Sequence, residues 1–400
     1  MIGPELYPIP PIRGGAAELW IEKTCHAFRR YKPFIFSPAD PELPTQEIRG
    51  EVQYFRIRVS QIKKIFSGWC KVYLSDYEEK IASILERIGP DVIHVHNRPL
   101  LIPYFKARFA KAKVIFHMHN LYRYLGRQEK PYGEFEIKAD LTVGCSHFVL
   151  ASERNRLARG SLRQGVIQNG VDTEAFRPAW IQETSALDLR RGYGLEEKKV
   201  VLYTGKIRES KGVGLLWAAM KEVFRRDVRA VLVLAGGTGF GYKRVNKKTI
   251  FLNHLQREMQ DYRDRVLFLG FIPPQEIPKI YLLGDVFVAP SQLEEGLGMV
   301  FLEASASGLP VIGTRQGGIP EAVIDQKTGL LLREKDNVTE LSEKIINLLE
   351  HPEYGRELGH NGRQFMVDHF AWPKVAEATE GLYDSLFSER PAYGTFGQGE

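Results

Sequence analysis

Short apolar segments alternate with longer segments of helical periodicity along most of the chain. Apolar runs bounded by glycine, proline or polar clusters are typical of buried strands, and apolar residues at three- and four-residue spacing predict helices. The strands predicted in this way lie at 34–37, 52–59, 91–98, 114–120, 140–146, 200–204, 230–234, 286–289 and 309–312. The predicted helices lie at 16–30, 77–88, 299–307 and 370–386, with further helical periodicity from 338 onwards.

This alternation predicts an α/β protein with two Rossmann-like, doubly wound domains. A length of 400 residues suits two domains of ordinary size. Between Pro178 and about Lys198, glutamate, glutamine and arginine replace the periodic apolar residues. We therefore predict an N-terminal domain at 1–180 and a C-terminal domain at 198–369.

The stretch 284–321 carries the strongest chemical pattern in the sequence. It reads as a buried strand, a loop with two acids and two glycines, a helix and the next strand. Such βαβ units bind ligands at the carboxyl ends of their strands. Gly296 and Gly298 leave the backbone open where the helix begins, so the amides of Gly298, Met299 and Val300 can face a phosphate.

Two acids of this stretch are predicted to contact different parts of one ligand. Glu295 lies in the loop and Glu303 on the helix, eight positions further on. That spacing corresponds to roughly 12 Å along a helix. The carboxyl groups of a glycosidase acid/base pair lie about 5–9.5 Å apart, so such a pair is not expected here.

A second phosphate-binding loop is predicted after the strand at 200–204. Gly205 opens the backbone, and Lys206, Arg208 and Lys211 supply positive charge for a diphosphate. Gly237, after the strand at 230–234, permits close approach of a nucleotide, although a plain turn explains that glycine equally well.

The first half of the chain begins with a glycine turn. Gly14 and Gly15 precede the first helix, where backbone amides can face a phosphate or an acceptor, the alternative being a structural turn. Only Met1 and Ile2 precede Gly3 and Pro4, so the first strand is either very short or the sequence starts late.

Two His-x-His pairs end neighbouring predicted strands. Alternation places His94 and His96 on one face of their strand, and His117 and His119 on one face of theirs. Paired histidines can bind a metal. The acids of a hydrolytic metal centre do not accompany them at matching positions, so the sequence favours no metal.

The combined motifs resemble the retaining GT-B glycosyltransferases of family four, which transfer a sugar from a nucleotide-sugar to an acceptor without a bound metal. The resemblance covers nearly the whole chain. The residues that carry it are Glu295 and Glu303 with seven residues between them, Gly308-Leu309-Pro310-Val311, and Gly317-Gly318-Ile319-Pro320-Glu321. Within the family, the segments 12–15, 96–99 and 169–172 are most similar to the spore-coat SA type.

The resemblance implies a role for each site residue. Glu303 is expected to accept hydrogen bonds from the ribose, and Lys206 and Lys211 to contact the diphosphate, with Arg208 as the alternative because the family has arginine where Lys206 stands. Glu295 and His119 are expected to hold the sugar. The predicted catalytic residues are His119, Glu295 and Lys211, and the predicted donor-binding residues are Lys206, Arg208, Gly237, Ile272, Gly298, Met299, Val300 and Glu303.

The family also implies a fold with two facing domains and a cleft between them. The expected acceptor residues on the first domain are Gly14, Gly15, His96 and Arg98, and the helix at about 370–388 is expected to cross back and complete that domain. No cofactor is implied, because the nucleotide-sugar is a substrate.

Charge divides the two halves. Residues 1–180 carry 27 Lys and Arg against 19 Asp and Glu, whereas the whole chain has a net charge of only +6. A basic first half suits an anionic acceptor or an anionic membrane surface, or it serves solubility alone. No nucleic-acid-binding motif accompanies it. Cys25, Cys70 and Cys145 lie far apart, as expected for reduced thiols, which favours a cytoplasmic protein.

The function predicted from the sequence is transfer of a sugar from a nucleotide-sugar to a glycan, a lipid-linked acceptor or a cell-surface component. Two alternatives stay open: a sugar-nucleotide epimerase, which shares the architecture, and a non-catalytic coat or scaffold protein built on the same fold.

Overall fold

The structure is a computed structural model that describes residues 1–4, 6–59, 76–121, 138–153, 163–238 and 250–388. Cys70 lies outside these ranges. Contacts divide the chain into unit 1, which comprises Met1–Asn169 and Trp372–Glu400, and unit 2, which comprises Gly170–Ala371. This division falls earlier in the chain than the boundary predicted between Pro178 and Lys198.

The strands and helices follow the alternation of the sequence closely. The strands are β1 Phe34–Pro38, β2 Gln46–Arg49, β3 Val52–Ile57, β4 Val92–His96, β5 Lys113–Met118, β6 Leu141–Gly144, β7 Gln164–Val166, β8 Lys199–Thr204, β9 Ala230–Ala235, β10 Val266–Gly270, β11 Val286–Ala289, β12 Val311–Thr314 and β13 Leu330–Leu332. The α-helices are α1 Ala16–Ala27, α2 Asp76–Ile88, α3 Leu101–Arg108, α4 His147–Ser152, α5 Glu183–Gly192, α6 Val213–Arg226, α7 Ile250–Glu258, α8 Ile277–Tyr281, α9 Met299–Ala306, α10 Ile319–Ala322, α11 Val338–Glu350, α12 Pro352–Phe365 and α13 Trp372–Ser385.

Unit 1 is built on parallel strands. β4, β5, β6 and β7 are hydrogen-bonded in that order, and β1 pairs in parallel with β3, whose other neighbour is the antiparallel β2. One residue joins the two groups of strands, because Ile2 forms parallel bridges with both Phe36 and Val95. The Ile2 amide donates to the His94 carbonyl at 2.8 Å, and the His96 amide donates to the Ile2 carbonyl at 3.0 Å. The stretch before the glycine turn therefore contributes a single strand position.

The C-terminal helix α13 completes unit 1. Its Glu380 is buried and accepts hydrogen bonds from the backbone amides of Arg29 at 2.9 Å and Arg30 at 2.7 Å, just after α1 ends. Tyr383 and Trp20 belong to one buried cluster with neighbouring apolar side chains. The segment that resembled the family's returning helix thus packs into the core of unit 1.

Unit 2 has a six-stranded sheet in the order β10-β9-β8-β11-β12-β13, and every pairing in it is parallel. The chain works outward in one direction from β8 and then outward in the other direction from β11. This is the strand order of the doubly wound dinucleotide-binding fold, and its topological switch point lies between β8 and β11. The strands are almost wholly apolar because helices cover both faces of such a sheet.

No helix in the part of the chain that the structure describes is long and apolar enough to cross a membrane.

Candidate functional site

The carboxyl ends of β8 and β11 meet at the switch point of unit 2, where a doubly wound sheet binds its ligands. The loop at 205–212 follows β8, and the loop at 290–298 follows β11. Both predicted phosphate-binding loops are therefore next to each other in the fold, although more than 80 positions separate Lys211 and Glu295 in the chain.

Glycines bring the two loops into direct contact. Gly212 has a φ of 73°, and a Cβ at this position would lie 1.8 Å from the Pro290 carbonyl oxygen. The Gln292 amide also donates to the Ser210 carbonyl at 3.0 Å. A side chain on residue 212 would push the loops apart, so glycine is required for the close approach of the backbone.

Lys211 and Glu295 form an ion pair across these loops. The Ser291 hydroxyl donates to the same carboxylate at 2.7 Å. Glu295 also pairs through its backbone with Gly317, and the Gly318 amide donates to the Glu295 carbonyl at 2.8 Å. These contacts hold both the carboxylate and the backbone of Glu295 in place, and about a fifth of its side chain is exposed.

Glu303 has a different environment, although it lies on the next element, α9. The Tyr281 hydroxyl donates to its carboxylate at 2.7 Å, and the Thr204 hydroxyl lies 2.6 Å from the Tyr281 oxygen. Burial of the carboxyl group raises the pKa of Glu303 to about 7, and the hydrogen bond from Tyr281 opposes that rise. The Glu303 carboxylate is buried and accepts one hydrogen bond, from Tyr281, so it is well suited to accept further hydrogen bonds from ligand hydroxyls.

Lys206 is the half-buried cation of the first loop. Burial lowers its pKa to about 7, with smaller contributions from Arg208 and Lys211, while Glu295 opposes the decrease. Arg208 is exposed, and its Nε donates to the Thr238 carbonyl at 3.1 Å. The two residues proposed as alternatives for diphosphate binding therefore differ: Lys206 lies within the site, and Arg208 is partly engaged with the loop after β9.

The N-terminus of α9 is open, as the sequence predicted. Gly298 has a φ of 91° and no side chain caps the helix within the described residues. The amides of Met299 and Val300 belong to the first turn, where a helix leaves its donors unpaired and attracts anions.

The loop after β9 lies beside the first loop, and β10 ends on the far side of β9. The Ile207 amide donates to the Gly237 carbonyl at 3.0 Å, and a Cβ on Gly236 would lie 1.7 Å from the Gly205 carbonyl oxygen. Ile272 follows β10 and packs partly buried against the core of unit 2. The predicted donor-binding residues thus all lie in unit 2, on loops at the carboxyl ends of its strands or on α9.

In unit 1, His96 and His119 form a hydrogen-bonded pair with 2.9 Å between His96 Nδ1 and His119 Nε2. His119 Nδ1 lies 3.3 Å from the Asn169 side-chain oxygen, and both histidines are buried. Burial lowers the pKa of His119 to about 4, which favours a neutral imidazole. Trp20 of α1 contacts both rings, with centroid distances of 5.2 and 5.7 Å.

The glycine turn of unit 1 lies against an acid that the sequence analysis did not identify. Gly15 has a φ of 121° and precedes α1, and a Cβ there would lie 2.0 Å from an oxygen of the Glu18 carboxyl group. Glu18 is buried, which raises its pKa to about 7. Arg98 is not brought to the histidines by any contact described; its guanidinium lies 3.9 Å from the carboxylate of the buried Glu78.

Sequence reasoning missed the residues that hold the site residues in place. These are Tyr281 beside Glu303, Ser291 beside Glu295, Asn169 beside His119, and Trp20 and Glu18 in α1. Ser291 lies four positions before Glu295, so its position beside Glu295 could have been predicted from the sequence. Tyr281 carried no signal, because its contact depends on how α8 packs on α9.

The chain belongs to the glycosyltransferases. Residues 187–365 match the family described as Glycosyl transferases group 1, and residues 14–175 match the one described as Glycosyltransferase Family 4. The two matches together span most of the chain and confirm the family inferred from the acids and glycines at 295–321.

Two relatives match over nearly the full length. Spore coat protein SA of Bacillus subtilis (strain 168) is 28% identical over 96% of this chain and 98% of its own. The putative glycosyltransferase YtcC of the same organism is 29% identical over 96% of this chain and 91% of its own. The predicted likeness to the spore-coat SA type is confirmed.

The fold is that of the GT-B glycosyltransferases. The Anabaena protein Alr3699/HepE, in its crystal structure with UDP-glucose, matches with a TM-score of 0.70 over 96% of this chain and 98% of that one, at 18% sequence identity. The predicted fold class of two Rossmann-like domains is confirmed.

Proposed function

We propose that this protein is a retaining glycosyltransferase that takes a nucleotide-diphosphate sugar as its donor. The observation that carries the proposal is the set of groups at the switch point of unit 2. The Lys211–Glu295 pair, the Glu303 carboxyl group and the open N-terminus of α9 all lie where a doubly wound sheet binds nucleotides.

Each group is assigned to one part of the donor. Glu303 accepts hydrogen bonds from the ribose hydroxyls, and Lys206, Lys211 and the amides of Met299 and Val300 bind the diphosphate. Glu295 holds a hydroxyl of the sugar, because its carboxylate is already oriented by Ser291 and by Lys211. Arg208 serves the diphosphate only if its contact with the Thr238 carbonyl is exchanged for one with the ligand.

The proposed reaction needs no metal at the diphosphate. The bond between the anomeric carbon and the diphosphate oxygen breaks, and its electron pair stays on the leaving diphosphate. Lysine cations and backbone amides stabilise that growing negative charge. The acceptor hydroxyl forms the new bond on the face that the diphosphate leaves and gives up its proton to a leaving-group oxygen, so the anomeric configuration is retained.

Unit 1 is assigned to the acceptor, with Gly14, Gly15 and His96 as the candidate residues, and the contact of His119 with the sugar stays a prediction. The basic composition of the first half suits a glycan, a lipid-linked acceptor or a cell-surface component that carries negative charge, and peripheral contact with an anionic membrane fits the same charge. The Anabaena structure contains UDP-glucose, so UDP-glucose is the first donor to test.

The donor is found with a panel of nucleotide-sugars, since a ligand that binds the native state raises its melting temperature. With that donor we expect Lys211→Ala and Glu303→Ala each to slow sugar transfer by a factor of about 100 or more. Transfer is measured as nucleotide-diphosphate release, and the anomeric configuration of the product is determined by NMR.

The matched control is the exposed pair Lys279 and Glu276 of the same unit, whose Nζ–Oε2 distance is 2.7 Å. Lys279→Ala and Glu276→Ala should leave transfer unchanged. Near-wild-type turnover in either site variant contradicts the assignment. Failure of every nucleotide-sugar to raise the melting temperature would instead favour a non-catalytic role for this protein.

A further inference from the structure

Four histidines lie together in the interior of unit 1, and the proposed transfer reaction uses only part of this cluster. His94 lies in the middle of β4 and His96 at its end, His117 lies in β5 directly opposite His96, and His119 follows β5. Their exposed fractions are 1, 0, 0 and 4% in that order. Four imidazoles without exposure are unusual in a protein core, because each brings two polar nitrogens that need partners.

Several of those nitrogens have no hydrogen-bond partner within the described part of the chain. They are Nε2 of His94, Nε2 of His96 and both ring nitrogens of His117. The backbone of Ile167 lies near enough to His117 to favour its charged form slightly, but it does not satisfy the ring. Three neighbouring side chains therefore share the same deficiency at one place.

The remaining hydrogen bonds indicate whether each unpartnered nitrogen carries a proton or a lone pair. The Asn169 oxygen accepts a hydrogen bond from Nδ1–H of His119. Nε2 of the neutral His119 ring is then an acceptor, and Nδ1–H of His96 donates to it. Neutral His96 then has a bare lone pair at Nε2. At His94, the Tyr383 hydroxyl donates to Met1 Sδ at 3.6 Å, so its oxygen accepts the N–H of His94 Nδ1 at 2.6 Å and leaves a lone pair on the unpartnered Nε2.

This is the arrangement of histidines that bind metals. A ligating histidine presents one nitrogen to the ion and donates the N–H of the other to a neighbouring acceptor, which fixes the ring and its tautomer. Tyr383 has that supporting position for His94, and His119 has it for His96.

One ring nitrogen from each of His94, His96 and His117 lies within 4.8 Å of the others. Zn–N bonds of about 2.0–2.1 Å place the ligand nitrogens of a tetrahedral site about 3.4 Å apart. The rings of His94 and His117 now stack with 13° between their planes. Closure on an ion therefore requires rotation about the Cβ–Cγ bonds and a shift of about 1.5 Å at most.

We propose that His94, His96 and His117 form a binding site for a divalent transition-metal ion of the zinc class. Three neutral imidazoles suit Zn²⁺ and Co²⁺, and water or hydroxide takes the fourth position. The ion ties β4 to β5, and through the His96–His119 hydrogen bond it fixes the orientation of His119. The site is structural and independent of the diphosphate site in unit 2, so it does not alter the metal-free transfer step.

Burial supports the same conclusion. It lowers the pKa of His94, His96 and His117 well below the ordinary value, and the neighbouring histidines lower it further. A lowered pKa favours the neutral imidazole, which is the form that binds a metal.

The test uses the untagged full-length protein, stripped with a chelator and then titrated with Co²⁺. We expect one equivalent of Co²⁺ per chain, with visible absorption bands of a four-coordinate site that Zn²⁺ abolishes by displacement. Zn²⁺ should also raise the melting temperature of the stripped protein. His94→Gln and His117→Gln should each weaken Co²⁺ binding by about 100-fold or more.

The exposed His254 and His351 supply matched controls, and His254→Gln and His351→Gln should bind Co²⁺ like the parent protein. X-ray absorption at the zinc edge of the parent protein should count three imidazole ligands, and this result stands even where a cluster variant fails to fold. Absence of stoichiometric uptake at micromolar Co²⁺, or equal uptake by His117→Gln, overturns the proposal. Either result would assign the unpartnered nitrogens to buried water.

Discussion

Burial brings the pKa values of two side chains that we assign to donor binding close to neutral pH. The pKa of Glu303 is raised to about 7, and the pKa of Lys206 is lowered to about 7. The family that the sequence resembles commonly has arginine where Lys206 stands, and the two side chains differ in how firmly they keep their charge. Arginine keeps its charge at any physiological pH, whereas a half-buried lysine can lose it.

Donor binding should therefore depend on pH through Lys206. The diphosphate stabilises the charged form and raises the pKa of Lys206 in the complex, so binding takes up a proton above pH 7. Affinity for the donor nucleotide then falls as pH rises, by up to about tenfold for each pH unit between the free and bound pKa values. Lys206→Arg should lose this dependence, because its guanidinium stays protonated.

Calorimetric titration of donor nucleotide between pH 6.5 and about 9 measures the effect in both proteins. Glu303 titrates in the same range, but it is present in both, so the difference between the two curves reports position 206 alone. Parallel curves would mean that Lys206 is charged throughout and that burial does not control its protonation.

Among the elements of unit 2, the loops after β8 and β11 depend on each other. Gly212→Ala places a methyl group against the Pro290 carbonyl oxygen and forces a non-glycine residue to a φ of 73°. We expect the loop at 210–212 to move away, the Lys211–Glu295 pair to open, and donor affinity to fall by about tenfold or more.

Gly214→Ala is the control for that substitution. It lies two positions further on in α6, where a Cβ would meet, among the described residues, the Phe251 ring alone at 3.8 Å, and alanine favours the helix. Donor affinity and transfer should be unchanged in Gly214→Ala. Equal affinity of the two variants for the donor would show that the contact with Pro290 does not position Lys211.

The sequence was most informative at this scale of strands, helices and glycine loops. β11 was predicted at its observed bounds, since an apolar run ended by Pro290 leaves no other interpretation. β2 was missed because Gln46, Glu47 and Arg49 are polar and its single apolar residue, Ile48, is exposed, so the segment carries no apolar pattern. Ile2 acts as a strand through two bridges to distant strands, which no local pattern contains.

The sequence predicted some residues of the candidate site and missed others, because local patterns do not contain contacts between distant elements. Loop residues such as Lys211 and Glu295 follow from strand ends and glycines, and the topology of the sheet brought them together. Tyr281 and Trp20 act through packing between elements, which depends on the whole fold. The histidines of the proposed metal site illustrate the limit: alternation placed each pair on one face, but only the register of β4 against β5 sets His96 opposite His117.

At the scale of the whole molecule, the donor residues and the histidine cluster belong to different units. Unit 1 is discontinuous, because α13 returns at the end of the chain to complete its core. Unit 2 is continuous from Gly170 to Ala371 and contains its own hydrophobic core and sheet. A continuous unit with a complete core is expected to fold by itself.

Residues 170–371 produced as a separate protein should therefore fold and bind the donor nucleotide with the affinity of the full chain. Every residue assigned to the donor, from Lys206 to Glu303, lies within this unit. Circular dichroism and thermal melting test the folding, and calorimetry with the nucleotide identified on the full chain tests the binding. Lys211→Ala in the separate unit should weaken that binding by about tenfold or more, as in the full chain. A unit that folds but does not bind would show that residues of unit 1 hold part of the donor, and the assignment of the donor to unit 2 alone would be wrong.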